Sequence, residues 1–255
     1  MYAEERQQAM AELVTRRGRM SVADLSREFE VTTETVRRDL STLERLNLLR
    51  RVHGGAVPVD TLTVIEAGLS DRDVENTGEK GRIALTALDL LPLGDSTLII
   101  DAGTTTARFA ELLPRDRRLT VFTHAVPVAS RLAGLPHVEL HLLPGRVRRN
   151  TQAAVGTETV AALSQIRADL AFIGTNGISV GHGLSTPDRT EAATKQALIA
   201  SANRVVLLTD SSKVGQERTV RFAQLADIDV LVTDDGISET DIKSFESFGM
   251  EVVVA

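Results

Sequence analysis

The 255-residue sequence contains no cysteine, which excludes disulfide bonds, thiolate catalysis and every cysteine-based zinc site. Its five histidines include no H-E-x-x-H pair, so we expect no metal site and no cofactor, although magnesium held by carboxylates stays open. No apolar run comes near the ~18 residues that a transmembrane helix needs, so we expect no membrane partner. The first six residues carry two acids and no apolar stretch, unlike a secretory signal, and we therefore expect a cytoplasmic protein.

Positive charge is scarce and comes almost entirely from arginine: four lysines stand against 25 arginines, and the net charge is −6. A negative chain of this kind is not coated with the positive potential that binds nucleic acid unspecifically. The charge is unevenly distributed, however, because residues 1–57 sum to +1 and residues 58–255 to −7. A length of 255 residues favours one small module followed by one of ordinary globular size.

The first 57 residues predict a small domain of three short helices and a β-hairpin. Ser21 and the acid three residues later are typical of a capping box at the start of the second helix. Thr32 suits the N-cap of the third helix, and residues 48–57 contain two short apolar runs around a glycine pair, which predicts the hairpin. Residues 58–77 lose this periodicity and carry frequent acids, so we predict a linker there with one or two helical turns.

The predicted third helix has two different faces. Val36, Leu40 and Leu43 recur at helical spacing and form its apolar side, while arginines and hydroxyl side chains occupy the other. Such a helix suits the major groove, where arginine bonds guanine bidentately and a wing adds phosphate contacts. The alternative is a helical subdomain whose arginines form surface pairs, such as Glu34 with Arg38. The residues predicted to contact DNA are Thr33, Thr35, Arg37, Arg38, Ser41, Arg50, Arg51 and His53.

Two stretches of this module form a specific signature. Residues 31–40 are VTTETVRRDL, and residues 51–56 are RVHGGA. Together they resemble the DeoR-type winged helix of bacterial repressors of sugar metabolism, although Thr33 stands where the family more often has serine. The resemblance implies that the helix binds operator DNA through Thr33, Thr35, Arg37 and Arg38, with support from the wing.

Residues 78–255 alternate apolar runs with amphipathic stretches, a pattern typical of a mostly parallel sheet with helices on both faces. The predicted strands are 97–101, 119–123, 138–143, 169–174, 204–209, 229–233 and 251–254. The predicted helices are 105–113, 126–133, 157–166, 190–202 and 238–248. The predicted fold class is therefore α/β: a winged helix-turn-helix domain at 1–57, a linker at 58–77 and an α/β domain at 78–255.

Glycine and hydroxyl residues gather at the predicted strand ends, where ligands bind in open α/β sheets. Gly103, Thr104 and Thr105 follow the first of these strands and open a helix, and a helix N-terminus favours an anion, so they predict a phosphate cradle. A turn capped by threonine explains them as well, and a surface ion pair explains Glu191 with Lys195. The residues predicted to bind a ligand are Asp101, Gly103, Thr104, Thr105, Thr123, Arg146, Gly174, Asn176, Gly183, Glu191, Lys195, Asp210 and Lys213.

The second module resembles the sensor domain of the same family, which is similar to ribose-phosphate isomerases. The matching residues include Asp101, Glu191, Lys195 and the Asp-Ser-Ser-Lys run that ends at Lys213. The resemblance implies a phosphorylated sugar as effector, with fructose 1-phosphate and fructose 6-phosphate as the first candidates. Within the family, the chain looks most like the repressors of phosphotransferase-system sugar genes in high-GC Gram-positive bacteria. His124 is a departure from the family pattern, and so is the single glycine before Arg146.

An enzyme is the competing interpretation, because an isomerase-like fold suggests a sugar-phosphate isomerase joined to a DNA-binding module. Isomerisation needs a general base and groups that stabilise an enediolate. The related isomerases carry acids in a loop whose counterpart here, residues 174–178, has none. Glu191 alone remains as a base, so we expect a repressor of sugar uptake or catabolism genes and no enzyme. Symmetric operators pair two recognition helices about one DNA turn apart, and we therefore expect a homodimer or homotetramer.

Overall fold

The computed structural model describes residues 3–17, 20–46, 48–52, 54–58 and 68–255. The chain forms two compact units, Met1–Val64 and Ile65–Ala255. The second unit includes residues 68–77, where the sequence predicts a linker with one or two helical turns, and a helix forms there at Leu69–Val74. Tertiary contacts hold this helix, such as the hydrogen bond from the backbone N–H of its first residue to the carbonyl oxygen of Asn150 (2.9 Å). No local sequence pattern reveals contacts of this kind.

The first unit is a winged helix-turn-helix. Three helices and a two-stranded hairpin are present, as the sequence predicts, and a two-residue strand adds a third member to the sheet. That extra strand is too short to show periodicity in the sequence. The elements are α1 (Ala3–Arg17), β1 (Met20–Ser21), α2 (Val22–Glu28), α3 (Thr33–Arg45), β2 (Leu49–Val52) and β3 (Gly55–Pro58).

The helices of this unit begin and pack as their sequences require. Ser21 Oγ accepts a backbone N–H at the start of α2 (3.0 Å), and Thr32 Oγ1 accepts one at the start of α3 (3.2 Å). Both predicted N-caps are confirmed. Val36, Leu40 and Leu43 are buried in one small core together with apolar residues of α1 and α2. The apolar side of α3 therefore faces inward and its other side faces solvent.

The second unit is an α/β domain. Its seven main strands lie within two residues of their predicted bounds, and the five predicted helices within three. In chain order its elements are α4 (Leu69–Val74), α5 (Thr77–Thr86), β4 (Ser96–Ile100), α6 (Thr104–Glu111), β5 (Leu119–Thr123), α7 (Val126–Leu132), β6 (Val138–Leu142), β7 (Arg146–Arg148), β8 (Ala153–Val155), α8 (Thr157–Leu163), β9 (Ala168–Ile173), β10 (Gly177–Ser179), β11 (Gly183–Thr186), α9 (Arg189–Ala200), β12 (Ala202–Leu208), β13 (Val220–Ala223), β14 (Val230–Thr233), α10 (Glu239–Glu246) and β15 (Glu251–Val254).

The central sheet is parallel throughout, with the strand order β15-β14-β12-β9-β4-β5-β6. Successive residues of β4 serve opposite faces: Leu98 and Ile100 pack into one apolar core, and Ile99 packs into the other. A sheet buried on both faces explains why its strands are continuous apolar runs in the sequence. The predicted α/β fold class is confirmed.

The strand order reverses direction between β4 and β9. From β4 the chain adds β5 and β6 on one side, and it then returns to place β9 and β12 on the other. The loops that follow β4 and β9 therefore leave the sheet in opposite directions, and such a reversal opens a crevice where ligands usually bind. The fold thus directs a ligand to the carboxyl ends of β4 and β9.

Two smaller antiparallel sheets complete the second unit. They are β7-β8 and β10-β11-β13, and the sequence prediction lacks both. Their strands have only three or four residues, which is too short for a period to stand out. Among the helices that the structure describes, none is long and apolar enough to cross a membrane.

Candidate functional site

The outward face of α3 in the first unit is rich in cations and hydroxyl groups. Five of the residues predicted to contact DNA lie on this helix, namely Thr33, Thr35, Arg37, Arg38 and Ser41. Thr33 and both arginines are exposed. Arg37 lies 3.6 Å from Glu34, but the two side chains are 60% and 73% exposed, so water screens the pair. Both guanidinium groups are therefore presented to solvent, as a helix that enters the major groove requires.

The acid that follows the two arginines points the opposite way. Asp39 is buried, and its carboxylate accepts hydrogen bonds from Arg6 Nε (2.7 Å) and Gln7 Nε2 (2.8 Å), both on α1. The hydrogen bond to Asp39 raises the pKa of the Arg6 guanidinium. Because these bonds tie α3 to α1, they fix the direction in which Arg37 and Arg38 point.

The hairpin is docked on α3 through Arg51. Its backbone N–H donates to Glu44 Oε1 (3.0 Å), and its Nη1 donates to Ser41 Oγ (2.8 Å). Two residues predicted to contact DNA, Ser41 and Arg51, therefore also join the helix to the wing. Arg50 is half-buried, and His53 lies outside the described residues.

A cleft in the second unit lies where the strand order predicts it, at the carboxyl ends of β4, β9 and β12. Its empty volume is about 510 Å³, with the open mouth included. Four separate segments of the chain bring predicted ligand residues to it. Nine of the thirteen predicted residues line the cleft: Gly103, Thr104, Thr105, Gly174, Asn176, Glu191, Lys195, Asp210 and Lys213.

The loop after β4 presents the start of α6 to the cleft. Gly103 is the N-cap residue, so no side chain caps the helix, and the first backbone N–H groups of a helix have no partner within it. Thr104 and Thr105 are only 8% and 7% exposed, and within the described residues their hydroxyls make no hydrogen bond. Thr106 instead donates to the carbonyl oxygen of Gly103 (3.1 Å). Free backbone donors, two hydroxyls and the positive end of a helix together suit an anion.

A buried ion pair lies beneath the cleft. One carboxylate oxygen of Asp101 accepts from Lys195 Nζ and from the backbone N–H of Gly174 (2.9 Å). The other oxygen lies 2.9 Å from His124 Nε2. Lys195 Nζ also donates to the carbonyl oxygen of Gly174 (2.9 Å). Asp101 and His124 thereby position Lys195, which lines the cleft, while Asp101 itself does not.

The charge of Asp101 is stabilised by these partners. Burial alone raises the pKa of its carboxyl, but the positive charge of Lys195 and the hydrogen bond with His124 lower it by more. The pKa of Asp101 therefore falls well below its usual range. The ionised carboxylate of Asp101 forms an ion pair with Lys195. Asp101, which the sequence predicts as a ligand residue, therefore lies beneath the cleft and does not line it.

Glu191 contributes to one wall of the cleft and is the residue that an isomerase would need as a base. It is buried and paired with the guanidinium of Arg148, which also lies 3.5 Å from Asp188. A carboxylate that is already engaged by a guanidinium is not free to take a proton from a substrate, so this position does not suit a general base. The sequence predicts Arg146 in the site, but the structure places Arg148 beside Glu191 and leaves Arg146 exposed on β7.

A second wall comes from α4 and α5, and the sequence prediction lacks it. Arg72, Glu75 and Lys80 line the cleft. Lys80 is buried, and its Nζ donates to the carbonyl oxygens of Arg72 and Glu75, the latter at 2.6 Å. Asn76 Nδ2 donates to Asp210 Oδ1 (2.9 Å), which ties this wall to the loop after β12. The chain has only four lysines, and three of them line this cleft. The scarcity of lysine is therefore the sequence signal that could have pointed to Lys80.

Two more predicted ligand residues have structural roles away from the cleft. Thr123 is buried, and its Oγ1 donates to the carbonyl oxygen of Ile100 (2.7 Å), which ties β5 to β4. Gly183 has a φ of +73°, and a Cβ there would lie 2.3 Å from the carbonyl oxygen of Ala223, so only glycine lets β11 approach β13. Across the described part of the chain, no three histidine or acidic side chains come together to hold a metal ion.

Both units match known protein families. Residues 6–61 match the family model described as DeoR-like helix-turn-helix domain, and residues 75–235 match that described as DeoR C terminal sensor domain. The chain is 36% identical over 253 residues to the HTH-type transcriptional regulator GlpR of Haloferax volcanii, with 99% of this chain and 98% of that protein covered.

Other relatives are similar over nearly the same length. The chain is 30% identical to the putative aga operon transcriptional repressor of Escherichia coli O157:H7, with 98% of this chain and 93% of that protein covered. It is 33% identical to the glycerol-3-phosphate regulon repressor of Escherichia coli K12, with 90% of each covered. Among solved structures, ribose 5-phosphate isomerase A from Methanocaldococcus jannaschii has a TM-score of 0.41 and 17% identity, with 55% of each chain covered.

Proposed function

The chain belongs to the DeoR family of transcriptional regulators, and from this premise we propose that it represses genes of sugar uptake or catabolism, under the control of a phosphorylated sugar. The three relatives named above match 90% or more of the chain, and all three are named as transcriptional regulators or repressors. This chain is accordingly a regulator rather than an enzyme. The observation that carries the proposal is a cleft suited to a phosphate in one unit and an outward arginine pair on α3 in the other.

In the first unit, α3 acts as the recognition helix. Arg37 and Arg38 reach base edges or phosphates in the major groove, where arginine bonds O6 and N7 of guanine bidentately. Thr33 and Thr35 stand at the N-terminal end of the helix, and the arginines of the wing add phosphate contacts that position the protein without specifying sequence. Because one helix occupies one half of a symmetric operator, the repressor acts as a homodimer or homotetramer.

In the second unit, the cleft binds the phosphorylated sugar. The phosphate is held at the start of α6, where Thr104 and Thr105 supply hydroxyl donors beside free backbone N–H groups. Asn176 and Glu191 line the same cleft and offer groups for the sugar hydroxyls. Fructose 1-phosphate and fructose 6-phosphate are the first candidates for the effector.

The isomerase alternative has little chemical support. The base that the sequence suggests for it, Glu191, is paired with the guanidinium of Arg148. The loop after β9 supplies amide, hydroxyl and backbone groups at Thr175 and Asn176 but no acid. Proton transfer between adjacent carbons needs a base that is free to accept a proton.

Titration of the full-length protein into a labelled fragment of its own upstream promoter tests the proposal. We expect saturable binding that outcompetes random DNA, weakens as salt rises because phosphate contacts are lost, and shifts with one sugar phosphate of the panel. Failure to bind promoter DNA, with or without ligand, would contradict the proposed repressor function. Specific binding that no sugar phosphate alters would support the repressor function but contradict the proposed effector.

A further inference from the structure

The strand β6 (Val138–Leu142) is the last strand at one edge of the seven-stranded sheet, with β5 as its inner neighbour. Among the residues that the structure describes, no strand pairs with its outer side. An open edge presents unpaired backbone N–H and C=O groups, which form a template for a strand from another chain. β6 therefore has the backbone chemistry of a contact between subunits.

The contacts of β6 with β5 show which backbone groups point outward. The N–H of Leu143, the residue after β6, donates to the carbonyl oxygen of Thr123 on β5 (2.8 Å). Successive residues of a strand direct their backbone groups to opposite sides, so those of Leu140 and Leu142 point away from β5. The N–H of Val138 is already used, because it donates to a carbonyl oxygen before the strand (3.1 Å). The outward donors of β6 are thus Leu140 and Leu142.

The side chains of β6 form an apolar row and a polar row. Val138 and Leu140 pack against the apolar core on one face of the sheet, and Leu142, which continues their row, is 55% exposed. Glu139 and His141 lie on the opposite face, where the His141 ring stacks on an aromatic ring of β5 (4.5 Å between centroids) and its Nε2 lies 3.2 Å from the Glu139 carboxylate. A partner strand must match both rows.

The sequence of β6 is complementary to itself in the antiparallel direction. A two-fold axis at Leu140 places Val138 opposite Leu142 and Glu139 opposite His141 of the second copy. The outward backbone groups then form two hydrogen bonds between the paired Leu140 residues and one from each Leu142 N–H to a Val138 carbonyl oxygen. Moving the axis to Glu139 would instead oppose two carboxylates, which is destabilising, and moving it to His141 would lose the carboxylate–imidazole pairs.

The opposite edge of the sheet lacks this complementarity. β15 has a single charged residue, Glu251, and its carboxylate already lies 3.0 Å from the guanidinium of Arg204 on β12. The other three residues of β15 are valines. No antiparallel register of two β15 strands therefore pairs groups of opposite charge, so charge complementarity favours β6 as the subunit contact.

We propose that a second copy of this chain pairs with β6 in the antiparallel direction, with Leu140 on the two-fold axis, so that two seven-stranded sheets become one continuous sheet. The contact is isologous, because the same strand serves both subunits. This inference rests on the proposed function, which requires a homodimer or homotetramer, and it adds the surface that joins the subunits.

Sedimentation of the full-length protein in an analytical ultracentrifuge tests the surface. We expect the unmodified protein to sediment as a dimer or a tetramer. Leu142→Lys should halve that mass, because it places an ammonium group in the apolar row opposite Val138. The exposure of Leu142 lets the variant keep its fold, which its circular dichroism spectrum checks. Val254→Lys is the matched control on the opposite edge, where Val254 is 46% exposed, and its mass should stay unchanged.

Cross-linking tests the register, and the absence of native cysteine makes it specific. Glu139→Cys and His141→Cys are produced separately and also co-expressed, and each preparation is oxidised. The two new thiols then stand on Cα atoms about 4.5 Å apart across the axis, within the range of a disulfide bond. Two copies of Glu139→Cys have these atoms roughly 8 Å apart, which is too far. We expect a disulfide-linked dimer from the co-expressed pair and little from either variant alone.

The outcomes separate this inference from the proposed function. An unchanged mass for Leu142→Lys, or a mass halved by Val254→Lys instead, contradicts the β6 contact but leaves the homo-oligomer in place. Cross-linking of Glu139→Cys alone to the same extent as the co-expressed pair contradicts the register. A monomeric unmodified protein contradicts both the inference and the proposed homo-oligomer, whereas the proposed effector is judged separately by the promoter titration.

Discussion

Lys195 donates to Asp101 beneath the cleft, and the two side chains are only 2% and 0% exposed. The backbone of Gly174 forms a hydrogen bond with each partner: its N–H donates to Asp101 (2.9 Å), and its carbonyl oxygen accepts from Lys195 (2.9 Å). A buried charge is tolerated only with close partners of this kind. The pair therefore joins the loop after β9 to the end of β4 and holds the two sides of the crevice together.

Lys195→Met should destabilise the second unit strongly. The variant leaves Asp101 buried without its main counter-charge, and breaking a buried pair costs about 3–5 kcal/mol of unfolding free energy. Urea denaturation followed by circular dichroism measures this loss. Lys243→Met is the matched control, because Lys243 is 77% exposed and lies 4.0 Å from Glu239, so its loss should leave stability unchanged. Equal behaviour of the two variants would contradict the structural role of the pair.

Asp101 should make the stability of the second unit depend on pH in one direction. Burial raises the pKa of Asp101, but Lys195 and His124 lower it by more, so the folded-state pKa lies below the unfolded value of about 3.9. Such a carboxylate stabilises the fold above that unfolded value, and the stabilisation is lost as pH falls towards the folded pKa. In Asp101→Asn, the free energy of unfolding should therefore fall less steeply with acidification below about pH 4. Parallel curves for both proteins would show that another group causes the acid dependence.

The large elements of the fold are predictable from sequence because burial on both faces leaves each main strand as an apolar run, such as residues 98–100. The short strands are different. Gly177 and Gly183 begin β10 and β11, and in the sequence alone such glycines favour turns. The helix Leu69–Val74 is polar, with no buried residue of its own, and the hydrogen bonds from Lys80 that hold its end come from another helix.

The site was only partly predictable for a related reason. The sequence places Asp101 and Thr123 at strand ends, but it does not reveal whether a polar side chain there faces a ligand or a neighbouring strand. Both turn inward, and Lys195 pairs with Asp101 rather than with Glu191 four residues earlier. Arg146, which the sequence predicts in the site, is exposed outside the cleft, whereas Arg148 pairs with Glu191 through a tertiary contact that no local pattern reveals.

Arg37→Ala and Arg38→Ala should each weaken operator binding. Loss of a direct base or phosphate contact costs about 1–3 kcal/mol, which is roughly tenfold to 100-fold in affinity, and a lost phosphate contact also reduces the salt dependence. Fluorescence anisotropy with a labelled operator measures both quantities. Arg16→Ala is the control, because Arg16 is an exposed arginine of the same unit on α1. Unchanged affinity in both α3 variants would contradict the assignment of α3 as the recognition helix.

Asp39→Ala should weaken operator binding without removing any group that faces DNA. The variant leaves Arg6 and Gln7 without their buried acceptor, and an unsatisfied polar group costs about 1–3 kcal/mol. We expect a loss of that order in the stability of the first unit, together with lower operator affinity because α3 is no longer tied to α1. Thermal melting and anisotropy on the same variant measure the two effects. Lost affinity at normal stability would instead mean that Asp39 acts at the DNA.

Thr104→Val combined with Thr105→Val should weaken the binding of every sugar phosphate. Valine keeps the branched shape but removes the hydroxyl, and a hydrogen bond to a charged group contributes about 1.5–3 kcal/mol, so a loss of roughly tenfold or more is expected. Because neither hydroxyl makes a hydrogen bond within the described residues, the stability of the second unit and operator binding without effector should stay unchanged. Calorimetric titration measures the affinity, with Thr240→Val at an exposed position on α10 as the control. If the double variant binds sugar phosphates as tightly as the control does, the phosphate is not held at the start of α6.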